Sequence, residues 1–230
     1  MPKLAQKCID SWKKYLPDYR IKLWNEDNFD MSLYPYAAEA YQQRKFAFVS
    51  DVARLYALYT EGGIYMDTDL EVIKPLDKFL VHTAFSGFED GKNVSAGIIG
   101  TEKGSLWAKE NLDSYLNRHF LKEDGTPDYT TIVNSITAYM VSRGLVRNNT
   151  FQDFPGLITI YPSDYFYPIS LNTMKMKKTV NTATIHYFMG SWGPRTPVSV
   201  ARKWIMRLFG EQFYQKLRSL KLKIFPKPWK

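Results

Sequence analysis

The chain has 230 residues and 45% hydrophobic content, enough for one domain with a real core, and a formal charge of +8. The basic balance favours polyanionic partners, but no zinc knuckle, RNP-like aromatic motif or helix-turn-helix signature is present, so nucleic acid is not an expected partner. The single cysteine, Cys8, excludes an intrachain disulfide and a multi-cysteine metal site. No run approaches the roughly 20 apolar residues of a membrane span and no signal peptide opens the chain, so the expected location is cytoplasmic.

Residues 3–16 carry Leu4, Cys8, Ile9, Trp12, Tyr15 and Leu16 at helical spacing and stop at Pro17. Residues 19–24, YRIKLW, alternate and predict a short strand. A second helix is expected over 36–45. The stretch Phe46 to Ile73 organises the rest, reading as a helix, a glycine stop and one strand that ends in two aspartates. Ser50 and Asp51 have the short oxygen-bearing side chains that open helices, and Gly62-Gly63 suits a helix end. Ile64, Met66, Thr68 and Leu70 alternate with Tyr65, Asp67, Asp69 and Glu71, so an extended backbone would point Asp67 and Asp69 to one side.

Further along, HTAFSGFE and SAGIIGT predict short strands around the turn Asp90-Gly91. Residues 105–121 and 130–143 predict helices, the second ending at Gly144. The aromatic, proline-bearing run from Phe151 to Ser170 reads as strand and loop, and TATIHYFMGSWG as a last strand with a glycine-flanked loop. Alternating helices and strands predict an α/β fold. A domain over 1–197 and a basic amphipathic tail over 198–230 are expected, the tail suited either to an anionic membrane surface or to docking on the domain.

Three groups carry the candidate chemistry. Asp67 and Asp69 offer hard oxygen ligands to a divalent cation, which suits a diphosphate-bearing substrate. An acidic pair is common on solvated turns; here it follows an apolar strand and a double glycine. Asp51 and Arg54, three apart on a helix, either pair with each other or bind sugar hydroxyls, a carboxylate accepting and a guanidinium donating. His186 can add an imidazole nitrogen to the metal site, and Ser191 and Trp192 follow it between Gly190 and Gly193.

The pattern Ser-Asp-x-x-Arg, an apolar-rich spacer and Gly-Gly-x-Tyr-x-Asp-x-Asp resembles the DXD-motif sugar transferases, which include the yeast initiating mannosyltransferases and bacterial capsular and exopolysaccharide transferases. It is also similar to the core of the clostridial glucosylating toxins. CIDSWKKYLPDYRIKLWNEDN resembles the family's first helix and second strand, and HYFMGSW its C-terminal motif. The resemblance runs from about residue 3 to residue 193. It implies a GT-A type α/β sandwich with a mixed central sheet, and a retaining transferase using Mn²⁺ or Mg²⁺. The implied donor is a UDP- or GDP-sugar, and the acceptor a saccharide or lipid-linked saccharide in cell-surface glycan synthesis.

By position, Asp67, Asp69, Asp51 and Arg54 would be catalytic. Asp67, Asp69 and His186 would hold the metal. Ser50, Asp51, Arg54, Tyr65, Asp67, Ser191 and Trp192 would bind the donor, with Gly62 and Gly63 shaping the pocket. Two departures stand out. The family's opening strand, Ile-Pro-Lys-Ile-Ile-His-x-x-Trp-x-Gly, has no counterpart, so the sheet is expected to lack its usual first strand. Where an Asn is expected before the run IIG, this chain has Ser95-Ala96-Gly97. Two other readings remain open at this point: a truncated, inactive donor-binding relative, and a membrane-surface scaffold protein.

Overall fold

The computed structural model describes residues 1–171 and 173–189. Five helices and seven strands are described: α1 (Lys3–Tyr15), α2 (Pro35–Gln42), α3 (Phe46–Thr60), β1 (Gly63–Met66), β2 (Leu70–Val72), β3 (Ala84–Gly87), β4 (Ile98–Thr101), α4 (Leu106–Asp113), α5 (Ile132–Ser142), β5 (Gln152–Phe154), β6 (Ile158–Tyr161) and β7 (Thr184–His186). The main sheet has the order β1-β4-β3-β6-β5, and β2 and β7 form a second, two-stranded sheet. β4 is antiparallel to both β1 and β3, and β3 is parallel to β6. The sheet is therefore mixed, and β1, β3 and β6 all send their carboxyl ends to one edge. That edge is where open α/β sheets place their ligands.

Both faces of the main sheet are covered, which explains why β3, β4 and β6 are buried at every position and mostly apolar. On one face α2, α3, α4 and α5 pack a core around Tyr36, Leu55, Ile99, Trp107 and Ile136. On the other, α1 and the small sheet pack a second core around Trp12, Leu70, Phe79, Phe85, Ile98 and Phe166. α1 is fixed to β2 by polar contacts as well: the Trp12 indole N–H donates to the Leu70 carbonyl at 2.7 Å, and the Ser11 hydroxyl accepts from the Val72 amide at 2.9 Å.

Several local expectations are corrected. Ser50 and Asp51 do not open α3, which starts four residues earlier at Phe46; the chain reverses out of α2 through Arg44, at φ +56°, and the apolar stripe already begins at Phe48. The expected single strand is two. β1 stops at Met66, the chain turns with the Leu70 amide donating to the Asp67 carbonyl, and β2 joins the other sheet. Asp67 and Asp69 thus sit on a turn between two sheets rather than on one extended face. The helix expected over 105–121 ends at Asp113, the chain continuing in single turns.

Residues 19–24 form no strand. Ile21 and Leu23 are exposed, at 48% and 75%, because alternation makes a strand only where a neighbour supplies backbone partners. The matching vacancy in pairing lies on β1, the last strand of its sheet. The Asp67 amide donates to Gly97, so the backbone groups of Ile64 and Met66 face away from β4. Among the described residues no strand pairs with that side.

Candidate active site

The site is built where β1 ends. Gly62 makes the turn from α3 into β1. It sits at φ +73°, and a Cβ there would lie 2.5 Å from the Lys103 amide nitrogen, so both conformation and space require glycine. α3 ends beside the start of the strand it feeds, which places Arg54, on its inner face, behind the carboxyl end of β1.

Arg54 is buried, and its donors are matched by acceptors. Its guanidinium donates to the Ala96 carbonyl at 2.7 Å, to the Ser50 carbonyl at 3.2 Å and to Asp51 at 3.0 Å, and it approaches Asp67 at 3.4 Å. Its face lies 4.5 Å from the Tyr65 ring centroid, and the Tyr65 hydroxyl donates to Asp67 at 2.8 Å. Asp51 and Arg54 therefore do pair, as their spacing allowed, and Ser50, Asp51, Arg54, Tyr65 and Asp67 come together in one cluster. Ser50 contributes its backbone carbonyl and its hydroxyl oxygen, which accepts from Arg54 at 3.4 Å while the hydroxyl donates to the Ala47 carbonyl.

His186 arrives from the far end of the chain through sheet register. β7 pairs with β2 so that His186 lies opposite Leu70, which sets the imidazole over the Asp67–Asp69 turn. Its Nε2 stands 3.3 Å from Asp67 Oδ2 and 3.1 Å from Asp69 Oδ1. These distances are short, yet neither buried ring nitrogen meets hydrogen-bond geometry with any partner. The carboxylates surround the nitrogen without lying along its N–H direction. One ligand atom from each of Asp67, Asp69 and His186 lies within 4.8 Å of the other two. Two carboxylate oxygens and one imidazole nitrogen are a donor set for Mn²⁺ or Mg²⁺, and the orphaned buried nitrogen fits such an ion. Asp69 is fixed from behind, accepting from the Met189 amide at 2.7 Å.

The charges follow from these contacts. Burial alone would raise the Asp67 carboxyl, but Arg54, then His186 and Tyr65, outweigh it and hold it down at about 2. Asp69 is likewise held below its ordinary range, its burial outweighed by His186 and the Met189 amide. His186 moves the other way. Burial opposes its charge, but Asp67 and then Asp69 win and push it up to about 9. Asp51 is pushed up to about 6, because burial exceeds the pull of Arg54 and the negative Asp67 adds to it.

Several participants carry no sequence signal of their own. Gly97 floors the cluster: a Cβ there would lie 3.1 Å from Asp67 Oδ2, 3.1 Å from the Tyr167 hydroxyl and 3.3 Å from His186 Nε2. Tyr167 accepts from the Ile98 amide at 2.8 Å and shares a hydrogen bond with Ser95, whose hydroxyl accepts from the Gly97 amide at 2.9 Å. Ser95, at the place where an Asn was expected, thus supports the turn under the site. Glu89 lies just past β3, and burial, then Asp90, raise it to about 7. Ser191, Trp192 and the tail over 198–230 lie outside the described residues.

Comparison with known proteins agrees with this geometry. The family model described as a glycosyltransferase sugar-binding region containing DXD motif matches residues 2–86, which include Asp51, Arg54, Asp67 and Asp69. Inositol phosphoceramide mannosyltransferase 3 of Schizosaccharomyces pombe is 32% identical over 125 residues, covering 50% of this chain and 34% of that protein. Mannosyl phosphorylinositol ceramide synthase SUR1 of Saccharomyces cerevisiae is 29% identical over 134 residues, covering 56% of this chain and 33% of that one. The uncharacterized glycosyltransferase L373 of Acanthamoeba polyphaga mimivirus is 28% identical over 178 residues, covering 76% and 68%. The chain thus spans about a third of the length of the two yeast relatives. Over residues 2–86 the chain is thus similar to the DXD-motif glycosyltransferases, and the similarity includes the DXD turn and the Ser-Asp-x-x-Arg helix before it.

Proposed function

We propose that this chain is a metal-dependent, retaining glycosyltransferase that moves a hexosyl group from a UDP- or GDP-sugar to a saccharide or lipid-linked saccharide acceptor. The observation that carries the reading is the convergence of Asp67, Asp69 and His186 at the carboxyl edge of the sheet, with Asp51 and Arg54 directly behind Asp67.

Asp67, Asp69 and His186 would hold Mn²⁺ or Mg²⁺. When bound, the cation supplies charge neutralisation for the leaving diphosphate. Arg54 keeps Asp67 ionised and oriented, and Met189 does the same for Asp69, so the two carboxylates are ligands before any substrate arrives. Asp51 and Arg54, paired with each other and buried, back the donor-sugar side and hold Asp67 in place from behind. No side chain offers a nucleophile on a fixed spacing from the cluster, which favours attack on the face the diphosphate leaves. The acceptor oxygen then bonds to the anomeric carbon, the bond from that carbon to the diphosphate breaks, and the acceptor proton passes to the leaving phosphate.

The names of the two yeast relatives specify mannosyl groups, which makes GDP-mannose the first donor to try, ahead of UDP-glucose, UDP-galactose and UDP-N-acetylglucosamine. Capsular, exopolysaccharide or other cell-surface glycan synthesis is the pathway we assign. The working location is the cytoplasmic face of the membrane. Its support is the Lys- and Arg-rich composition of residues 198–230.

The test is a donor screen on purified protein with Mn²⁺, following nucleotide release and saccharide product, beside the Asp69→Asn variant. One donor is expected to turn over, and Asp69→Asn to lose about 100-fold or more while unfolding at the same denaturant concentration. A variant with near-normal turnover contradicts the metal role. A second reading is a donor-binding relative without turnover. It is separated in the same assay: donor binding without nucleotide release supports it.

A further inference from the structure

The carboxyl edge of the sheet holds more than the Asp67 cluster. Glu89 follows β3, and Ser163 and Asp164 follow β6, the strand parallel to it. Around these ends lies an open cavity of about 560 Å³, lined among others by Glu89, Ser163, Asp164, Tyr167, Leu171 and Lys177. That volume falls within the range of roughly 300–1,000 Å³ typical of small-molecule sites.

The cavity adjoins the cluster through one side chain. Tyr167 lines it, and the same ring packs edge-on against His186, 5.5 Å between centroids. Gly97 lies between the Tyr167 hydroxyl and the Asp67 carboxylate, where a Cβ would press each by a few tenths of an ångström. A molecule in the cavity and a molecule on the Asp67–Asp69–His186 cluster would therefore meet across Tyr167 and Gly97.

The lining says what fits. Asp164 is engaged, accepting from Thr179 at 2.7 Å and from Asn181 at 3.2 Å. Glu89, half-buried, has no hydrogen bond or ion pair to its side chain among the described residues. Glu89, Asp90 and Asp164 against one lysine make the wall net acidic, which disfavours a diphosphate there and leaves a neutral ligand. Carboxylate and hydroxyl groups in the lining, together with Leu171 and Ile169, suit a ring that carries hydroxyls on its edge and C–H groups on its face.

We propose that this cavity is the acceptor subsite, holding a neutral saccharide whose hydroxyl donates to Glu89, with Tyr167 as the wall shared with the donor side. It rests on the transferase reading above. Glu89 binds the acceptor and, among the described residues, makes no hydrogen bond or ion pair with Asp67, Asp69 or His186, so acceptor and donor affinities separate.

The experiment uses the full chain with Mn²⁺ and either UDP or GDP, and three probes: methyl α-mannopyranoside, methyl β-glucopyranoside and methyl β-galactopyranoside. Binding of each is followed by saturation-transfer NMR, and nucleotide affinity by calorimetry. At least one glycoside is expected to bind the wild type. Glu89→Gln is expected to weaken it about tenfold, the loss of one charged hydrogen bond, and Leu171→Trp, which fills the cavity from its rim, to abolish it. Nucleotide affinity is expected to stay the same in both variants. Glycoside binding that survives both substitutions overturns the proposal, as does a wild type that binds nucleotide but none of the three glycosides. A wild type that binds neither UDP nor GDP overturns the transferase reading itself.

Discussion

Arg54 stands between two carboxylates that leave their ordinary range in opposite directions. Asp51 lies 3.0 Å from the guanidinium and Asp67 3.4 Å, so the nearer carboxylate would be expected to ionise more easily. It does not: Asp51 is pushed up to about 6 and Asp67 held at about 2. Burial raises both. Asp51 sits in the helix-side core, where burial outweighs Arg54, the Ile132 amide and the more distant Arg118, and the negative Asp67 adds to it. Asp67 sits at the edge, where Arg54, His186 and the Tyr65 hydroxyl all stabilise its charge. In a low dielectric the number of donors converging on a carboxylate decides its charge, more than the distance to any one of them. The inner pair is therefore a strut, and the outer set an anionic ligand site braced by that strut.

Removing the brace has the largest expected effect. Arg54→Met leaves the buried Asp51 and the half-buried Asp67 without their shared cation, and is expected to cost about 3–5 kcal/mol in urea unfolding. A loss below about 1 kcal/mol would mean that the two carboxylates do not depend on it.

The outer set has a pH signature of its own. In the metal-free protein His186 is raised from its ordinary 6.5 to about 9. A raised histidine binds its proton more tightly in the folded state. Its contribution is therefore complete below about pH 6.5 and is lost as pH rises through about 9. The expected loss is on the order of 3 kcal/mol between those limits, absent in His186→Gln and measured as the pH dependence of the unfolding midpoint. A wild-type profile that matches the variant's would place His186 outside the carboxylate pair.

Gly97→Ala probes the floor between Asp67, Tyr167 and His186. The new methyl group would press each by a few tenths of an ångström. A fall in turnover of about tenfold is expected, with about 1 kcal/mol of stability lost. The smallest effect is expected far from both sets. Lys109 and Asp113 form a solvent-facing pair on α4, and Asp113→Asn should leave turnover and the unfolding midpoint where they were.

Part of this site could be read along the chain because it is local. Asp51 and Arg54 share a helix turn, and a glycine pair separates them from Asp67 and Asp69, so spacing alone brought four residues into one stretch. His186 was legible only through the motif around it, since what delivers it is the Leu70–His186 register of a two-stranded sheet. The break between β1 and β2 was hidden because alternation continues unchanged from Ile64 to Glu71, while the turn between two sheets depends on partners distant in sequence. Residues 19–24 show the converse: good alternation without a partner gives an exposed extended segment. Tyr167, Gly97, Ser95 and Glu89 escaped because their roles come from strand ends that only the folded sheet brings side by side.

The central claim is that Asp67, Asp69 and His186 form one cation site serving a nucleotide diphosphate. Mn²⁺ binding, followed by electron paramagnetic resonance with and without UDP or GDP, tests it most directly. One bound ion per chain is expected, held more tightly with nucleotide present and weakened about tenfold or more by His186→Gln or Asp69→Asn. Mn²⁺ affinity that is absent from the wild type, or that both substitutions leave unchanged, would contradict the assignment.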